Sequence, residues 1–156
     1  MDTLVFLDVE TTGLDGHNER IIEIYMLKVL PDGQYEEFET LINPGKPISA
    51  RITEITGITD RDVVNAPSEA ELAPKIRSFL ADGIPVAHNL SFDLKFLQSM
   101  FRRQSVDRIT KKGVDTLQWS RRILPKLAVF PEGRGSHTLQ NLMFQFGLDK
   151  DFRNSH

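Results

Sequence analysis

Two acidic residues follow a short apolar run near the start of the chain, in the stretch FLDVETTGL (residues 6–14). Successive side chains of a β-strand point to opposite faces, so Asp8 and Glu10 would share one face and Val9 the other. Carboxylates this close repel each other, and they are costly to bury without a partner. A divalent cation is the simplest partner. The pair therefore predicts a metal site whose remaining ligands come from elsewhere in the chain.

The composition limits what those ligands can be. The chain has 156 residues, of which 40% are hydrophobic and 26% charged, as is typical of one globular domain. It contains no cysteine, which excludes disulfides and thiolate ligands, so a metal would be held by oxygen or imidazole. No segment approaches the roughly 18 apolar residues of a membrane span, and the first residues lack the pattern of a signal peptide. We expect a cytoplasmic protein without a membrane partner.

Charge is distributed unevenly along the chain. Residues 1–100 carry an excess of Asp and Glu, whereas residues 101–156 carry an excess of Lys and Arg. An acidic part beside a basic part fits a metal site flanked by a surface that attracts phosphates. Solvated helix and loop faces at the Arg and Lys pairs explain the same asymmetry equally well.

Apolar patterning and turn residues predict the elements that must position the acidic pair. The predicted strands cover Leu4 to Glu10, Arg20 to Leu30, Tyr35 to Ile42, Ile84 to Ala87 and Gly113 to Asp115. The predicted helices cover Glu69 to Leu80, residues 88–103, Thr116 to Leu124 and Thr138 to Phe146. Three hairpin-linked strands followed by alternating helices and strands indicate an α/β fold, with a mixed sheet flanked by helices.

A third acidic residue, Asp93, is predicted in the first turn of the helix that follows the strand IPVA (residues 84–87). Ligands gather at the carboxyl ends of strands in α/β sheets, which favours a functional role. A carboxylate in a first helical turn is also stabilised by the helix dipole, so a purely structural role explains Asp93 alone.

The segments DVETTGL (residues 8–14) and HNLSFDLKFL (residues 88–97) together resemble the first two motifs of the DnaQ-like 3′–5′ exonucleases. Later segments of the chain also resemble this family; they are INPGKPIS, ITGIT, VDTLQWSRRILP and HTLQNLMFQFGL. The resemblance implies a ribonuclease H-like fold, in which three antiparallel strands are followed by parallel ones. The family includes the proofreading epsilon subunit or exonuclease domain of bacterial DNA polymerase III.

The resemblance implies a two-metal phosphodiesterase. Asp8, Glu10 and Asp93 would be three of four carboxylates that hold two Mg²⁺ or Mn²⁺ ions, and hard cations of this kind prefer oxygen ligands. The reaction would release nucleoside 5′-monophosphates from the 3′ end of single-stranded DNA in proofreading or repair. Two alternatives remain open. One is a related enzyme that trims RNA, and the other is a silent nucleic-acid-binding module associated with a polymerase.

The family also implies a histidine as general base, five positions before the fourth acidic ligand. His88 has this spacing to Asp93, but its place at the end of a buried strand favours a structural hydrogen bond. His137 and His17 lack an acidic residue at that distance. His156 is therefore assigned as the catalytic base. Since the sequence stops at His156, we expect a single exonuclease domain over residues 1–156, truncated before the last motif aspartate and the final helix.

Resemblance also suggests residues that meet the substrate. Leu14 would pack against the terminal base, and Ile55 and Thr56 would line the pocket for the last nucleotide. Core packing is an equally simple role for Ile55. The substrate-binding set is completed by Thr11, Thr12 and Gly13 in the turn after the first strand, and by Asn89.

Three of the remaining residues have simple structural interpretations. Asn89 is a candidate to orient the sugar-phosphate, although capping the following helix explains it equally well. Asp115 is interpreted as a cap for the Thr116 helix or as a residue behind the metal ligands. Trp119 is expected in the core.

Overall fold

The computed structural model describes residues 2–123, which form a five-stranded mixed sheet with helices. The strands are β1 (Leu4–Thr11), β2 (Ile21–Val29), β3 (Tyr35–Leu41), β4 (Ile84–Ala87) and β5 (Val114–Asp115). The helices are α1 (Ala50–Thr56), α2 (Asp60–Val63), α3 (Glu69–Leu80), α4 (Leu90–Arg103) and α5 (Thr116–Ile123). The predicted helix from Thr138 to Phe146, together with His137 and His156, lies outside the described residues.

The strand order is β3-β2-β1-β4-β5, which places β1 at the centre of the sheet. The first three strands form the predicted antiparallel meander, whereas β4 and β5 run parallel to β1. Because parallel strands end at the same edge of a sheet, the residues that follow β1, β4 and β5 are neighbours. The predicted mixed sheet is confirmed, and its topology fixes where a site can form.

Alternation along β1 sorts its side chains between two environments. Val5, Leu7 and Val9 are buried in the main hydrophobic core, where residues of α3 and α4 also lie. Asp8 on the opposite face is exposed, and Glu10 is partly buried. The strand therefore contributes to the core with one face and presents two carboxylates on the other, as period-2 geometry predicts.

Helices α3 and α4 are joined through one carboxylate. Glu69 in the first turn of α3 accepts hydrogen bonds from Arg103 and from Gln104, at the end of α4. The ion pair is partly shielded from solvent. It fixes α4 against α3 at the end opposite to Asp93.

Two short helices were missed between residues 45 and 67. Ser49 caps α1 by accepting a hydrogen bond from the backbone N–H of Ile52, and Gly57 ends the helix with a φ of 76°. Thr59 and Asp62 form a reciprocal capping box at α2. These are readable start and stop signals, but helices of seven and four residues are too short to show a hydrophobic period.

None of the helices within residues 2–123 is long and apolar enough to cross a membrane.

Candidate active site

Asp8 and Glu10 lie on β1 near its carboxyl end, opposite Tyr25 and Glu23 of the antiparallel neighbour β2. The register is regular up to Glu10 and shifts only between Glu10 and Thr11. Both side chains therefore leave the sheet on the same face. Glu23 adds a third negative charge beside Glu10.

Asp93 reaches the same region from α4, which begins directly after β4. Its side chain is 4% exposed, and it lies in the first turn of the helix. The helix dipole stabilises negative charge in a first turn, but burial and the neighbouring carboxylates outweigh this effect at Asp93. Because β4 runs parallel to β1, the chain brings Asp93 to the strand edge that carries Asp8 and Glu10.

The electrostatics of these groups show that they are neighbours. The pKa of Asp93 is raised to about 8, first by burial and then by the negative charges of Asp8, Glu10 and Asp115. The pKa of Glu10 is raised to about 7 by burial and by the charges of Asp8 and Glu23. Asp8 is exposed at the surface, but the surrounding protein partly desolvates its carboxyl group and so raises its pKa. The charged groups that shift Asp93 and Glu10 are all acidic, so each carboxylate disfavours the ionisation of the others.

This donor set suits a hard divalent cation. Carboxylate oxygens are the ligands that Mg²⁺ and Mn²⁺ prefer, and a cation would relieve the mutual repulsion. Within residues 2–123, however, no three Asp, Glu or His side chains are arranged closely enough to form a complete metal-binding group. The roles of Asp8, Glu10 and Asp93 as ligands therefore stay a prediction, although the fold brings all three to one region.

Asp115 holds the start of two helices. Its carboxylate accepts hydrogen bonds from the backbone N–H groups of Asn89 and Leu90 at α4, at 3.1 and 3.2 Å. It also accepts from Leu117 and Gln118 at α5, at 2.9 and 3.3 Å. The predicted cap of α5 is confirmed, but the contact with α4 was missed. Through it, Asp115 helps to fix the helical turn that carries Asp93.

His88 and Asn89 connect β4 to α4. Nδ1 of His88 lies 3.1 Å from the Thr116 hydroxyl, so the predicted structural hydrogen bond is confirmed. Asn89 adopts a left-handed conformation with a φ of 66° and makes no side-chain cap, so the capping interpretation is wrong. Its side-chain oxygen accepts a hydrogen bond from Ser91 instead.

The turn after β1 uses most of its polar groups internally. The Thr11 hydroxyl donates to the carbonyl of Gly13, and the Thr12 hydroxyl donates to Glu19. The backbone N–H of Thr12 already donates to the carbonyl of Arg20, at 2.9 Å. In contrast, the side chain of Leu14 is 80% exposed.

The second group of predicted substrate-binding residues lies at the end of α1. Ile55 is 59% exposed, so the core-packing alternative for it is wrong. Thr56 is buried, and its hydroxyl donates to the carbonyl of Ile52 and accepts from the N–H of Ile58. The geometry thus gives Thr56 a structural position and leaves Ile55 accessible. Trp119 on α5 is also 59% exposed, which contradicts its expected place in the core.

Comparison with known proteins defines the class. The RNase_T exonuclease family model matches residues 5–156, and the chain belongs to this family. Its predicted resemblance to the DnaQ-like 3′–5′ exonucleases is confirmed.

The chain is similar to particular members of this class. It is 39% identical over 124 residues to DNA polymerase III PolC-type from Streptococcus pyogenes serotype M2 (strain MGAS10270), and equally to that of serotype M1. The matched region is 80% of this chain but only 8% of those relatives, so the chain corresponds to a small part of their length.

Solved structures agree on the fold. Escherichia coli exonuclease I in complex with a dT13 oligonucleotide has a TM-score of 0.81 at 21% identity, over 95% of this chain and 36% of that chain. A product-bound exonuclease I has a TM-score of 0.82 at 21% identity, over 95% of this chain and 39% of that chain. At this identity the likeness establishes the shared ribonuclease H-like fold.

The raised pKa values predict how stability depends on pH. The folded-state values of about 7 for Glu10 and about 8 for Asp93 lie above the ordinary values of 4.5 and 3.8. At a pH between the ordinary pKa and the folded-state pKa of each group, the folded protein holds a proton that the unfolded chain releases. The free energy of unfolding therefore falls as the pH rises through this range. Urea unfolding in EDTA between pH 5.5 and 8 measures this fall. Asp93→Asn, which cannot ionise, should make the free energy of unfolding depend less on pH. An unchanged pH dependence would contradict the raised pKa of Asp93.

Asp115 offers a second prediction. Asp115→Ala removes the acceptor for both helix starts and should lower the free energy of unfolding by about 1–4 kcal/mol, as expected for two lost caps. Asp115→Asn keeps one acceptor oxygen and should cost less. Asp107→Ala, at an exposed loop aspartate, serves as the control. Chemical denaturation measures all three, and equal stabilities of Asp115→Ala and the control would refute the anchoring role.

Proposed function

We propose that this chain is the catalytic part of a two-metal-ion 3′–5′ exonuclease that acts on single-stranded DNA. Each cycle would hydrolyse the last phosphodiester bond and release a nucleoside 5′-monophosphate. The observation that carries the proposal is the meeting of Asp8, Glu10 and Asp93 at one sheet edge, in a chain of the exonuclease family. Asp93 is distant in the sequence from the other two, and the shared environment of the three carboxylates disfavours them as free anions.

Asp8, Glu10 and Asp93 would hold two Mg²⁺ or Mn²⁺ ions. When bound, such ions activate a water molecule and stabilise the leaving 3′-oxygen. The negative charges that raise the pKa of Glu10 and Asp93 would become favourable contacts with the ions. His156, which lies outside the described residues, is proposed as the general base that takes the proton from the attacking water.

The exposed apolar side chains would bind the terminal nucleotide. Leu14 lies in the loop after β1, and Ile55 lies near the end of α1. Their exposure leaves apolar surface for packing against bases, which is tolerant of base identity because each base has an apolar face. Asn89, with its strained backbone at the start of α4, is proposed to contact the sugar-phosphate.

DNA is proposed as the substrate because of the relatives. The similar curated proteins are DNA polymerases III of the PolC type, and the similar exonuclease I has been solved with a dT13 oligonucleotide. A proofreading or repair role, in the cytoplasm and in association with a polymerase subunit, would follow. The RNA-trimming and silent-module alternatives are outcomes that the same experiment detects.

The test is digestion of 5′-labelled single-stranded DNA and RNA of the same sequence with Mg²⁺, Mn²⁺ or EDTA. We expect a DNA ladder that shortens from the 3′ end, that requires metal, and that slows by about 100-fold or more in Asp8→Asn, since even residues behind metal ligands cost 10–100-fold. Asp82→Asn, in the exposed turn before β4, is the matched control.

Three outcomes would count against the proposal. Metal-independent shortening would exclude the two-metal mechanism. Cleavage of RNA but not DNA would show that the substrate is RNA and not DNA. Binding of DNA without cleavage in any metal would favour the silent module.

A further inference from the structure

Lys95 makes an unusual set of contacts on α4, two residues after Asp93. Its Nζ donates a hydrogen bond to the backbone carbonyl of Leu14, at 3.0 Å. The same ammonium lies 4.9 Å from the ring centroid of Phe92 and 5.5 Å from that of Phe96. Cation–π contacts at this distance are attractive, so three groups hold the ammonium in place. The lysine thus connects α4 to the loop after β1, although the two lie far apart in the sequence.

The aliphatic part of Lys95 fits against a glycine of that loop. A Cβ atom at Gly16 would lie 2.4 Å from Cγ of Lys95 and 2.9 Å from its Cδ. Real Cβ atoms do not approach other atoms so closely, so any side chain at position 16 would displace the lysine. Gly16 is buried even though its neighbours in the loop are exposed. The loop is therefore held by a hydrogen bond at Leu14 and by close packing at Gly16.

The other end of this loop has its own anchor. Glu19 accepts hydrogen bonds from Thr12 and from Lys46, and its backbone N–H donates to the carbonyl of Asp15. The carbonyls of His17 and Asn18 accept further hydrogen bonds from Arg20 and Lys46. Lys95 supplies the anchor at the Leu14 end of the loop. The exposed side chain of Leu14 lies in this span.

We propose that Lys95 is a positioning residue, which connects the loop after β1 to the helix that carries Asp93. By holding Leu14 in this loop, it determines where the terminal nucleotide lies relative to the carboxylates. The inference rests on the proposed function, because it takes Leu14 as a nucleotide contact. Lys95 does not touch the reacting atoms. Side chains at i and i+2 of a helix point in different directions, and Lys95 is directed to Leu14.

A simpler role for Lys95 is to stabilise the fold alone. That role predicts a lower free energy of unfolding in variants, with no selective change in substrate affinity. The positioning role predicts that KM rises while kcat changes little, because the carboxylates stay in place. The two roles therefore differ in a measurable way.

The first experiment compares Lys95→Met and Lys95→Arg with Lys75→Met, at an exposed lysine of α3. Methionine keeps the apolar stem and loses the ammonium. We expect its KM for a single-stranded oligonucleotide to rise by about 10-fold or more, the lower end of the range for losing one charge-assisted hydrogen bond. Arginine should restore much of the affinity, and Lys75→Met should behave as wild type.

Hydrogen exchange gives a readout that needs no catalysis. The amide of Glu19 donates to the Asp15 carbonyl, and that of His17 donates to the Asp15 carboxylate. Both should exchange faster in Lys95→Met, whereas the amides of α3 should be unchanged. Unchanged exchange in the loop would overturn the proposal.

A double-mutant cycle tests the packing at Gly16 independently. Gly16→Ala should raise KM in the wild-type background by displacing the lysine stem. In a Lys95→Ala background that stem is gone, so the same substitution should have a much smaller effect. Additive effects would show that the two residues are not coupled.

The outcomes also separate this inference from the proposed function. If the wild type cleaves no nucleic acid, the proposed function fails, and oligonucleotide binding by fluorescence anisotropy replaces KM as the readout. Faster loop exchange with unchanged KM or unchanged binding would overturn the positioning role. Faster exchange with weaker substrate binding would support it.

Discussion

The buried carboxylate of Asp93 is the constraint on which the site depends. Burying a charge beside three like charges costs several kcal/mol unless it is protonated or paired. The rest of α4 offsets that cost, because Phe96, Leu97, Met100 and Phe101 are at most 1% exposed. This packing fixes the helix in the core, so α4 holds Asp93 where its ionisation is unfavourable.

The backbone contributes as much to the site as the side chains. Asp115 takes four N–H groups from two helix starts, which ties α4 and α5 to the end of β5. The same carboxylate adds to the negative potential at Asp93 and raises its pKa. One residue therefore stabilises the local structure and increases the need for a cation. Hydrogen bonds thus stabilise the backbone around the site, while the negative charges of its carboxylates are left without a positive partner among the groups that shift their pKa values.

Much of the fold was predictable because its signals are local. Helix α3 begins and ends at Glu69 and Leu80 as predicted, since Ser68 marks its start and Gly83 follows its end. Contacts between distant residues were not predictable: Asp115 is 26 residues from Asn89, and Lys95 is 81 residues from Leu14. The prediction that Trp119 lies in the core was wrong for a related reason. Ser120 is buried on α5, and which face of a helix is buried depends on the elements that it packs against. The apolar pattern of a helix of eight residues is too short to predict that face.

Carboxylates and exposed apolar residues occupy different kinds of structure. Asp8, Glu10 and Asp93 lie on a central strand and on a helix packed in the main core, so their positions are fixed by the most stable contacts of the described chain. Leu14 lies in a loop, and Ile55 lies on a short helix beside a separate core of Ile22, Ile48, Ile58 and Val63. Loops positioned by a rigid scaffold commonly carry binding residues. The predicted substrate-binding side chains of Leu14 and Ile55 therefore lie outside the elements that carry the three carboxylates. Lys95 connects these two parts of the structure through its hydrogen bond to the carbonyl of Leu14.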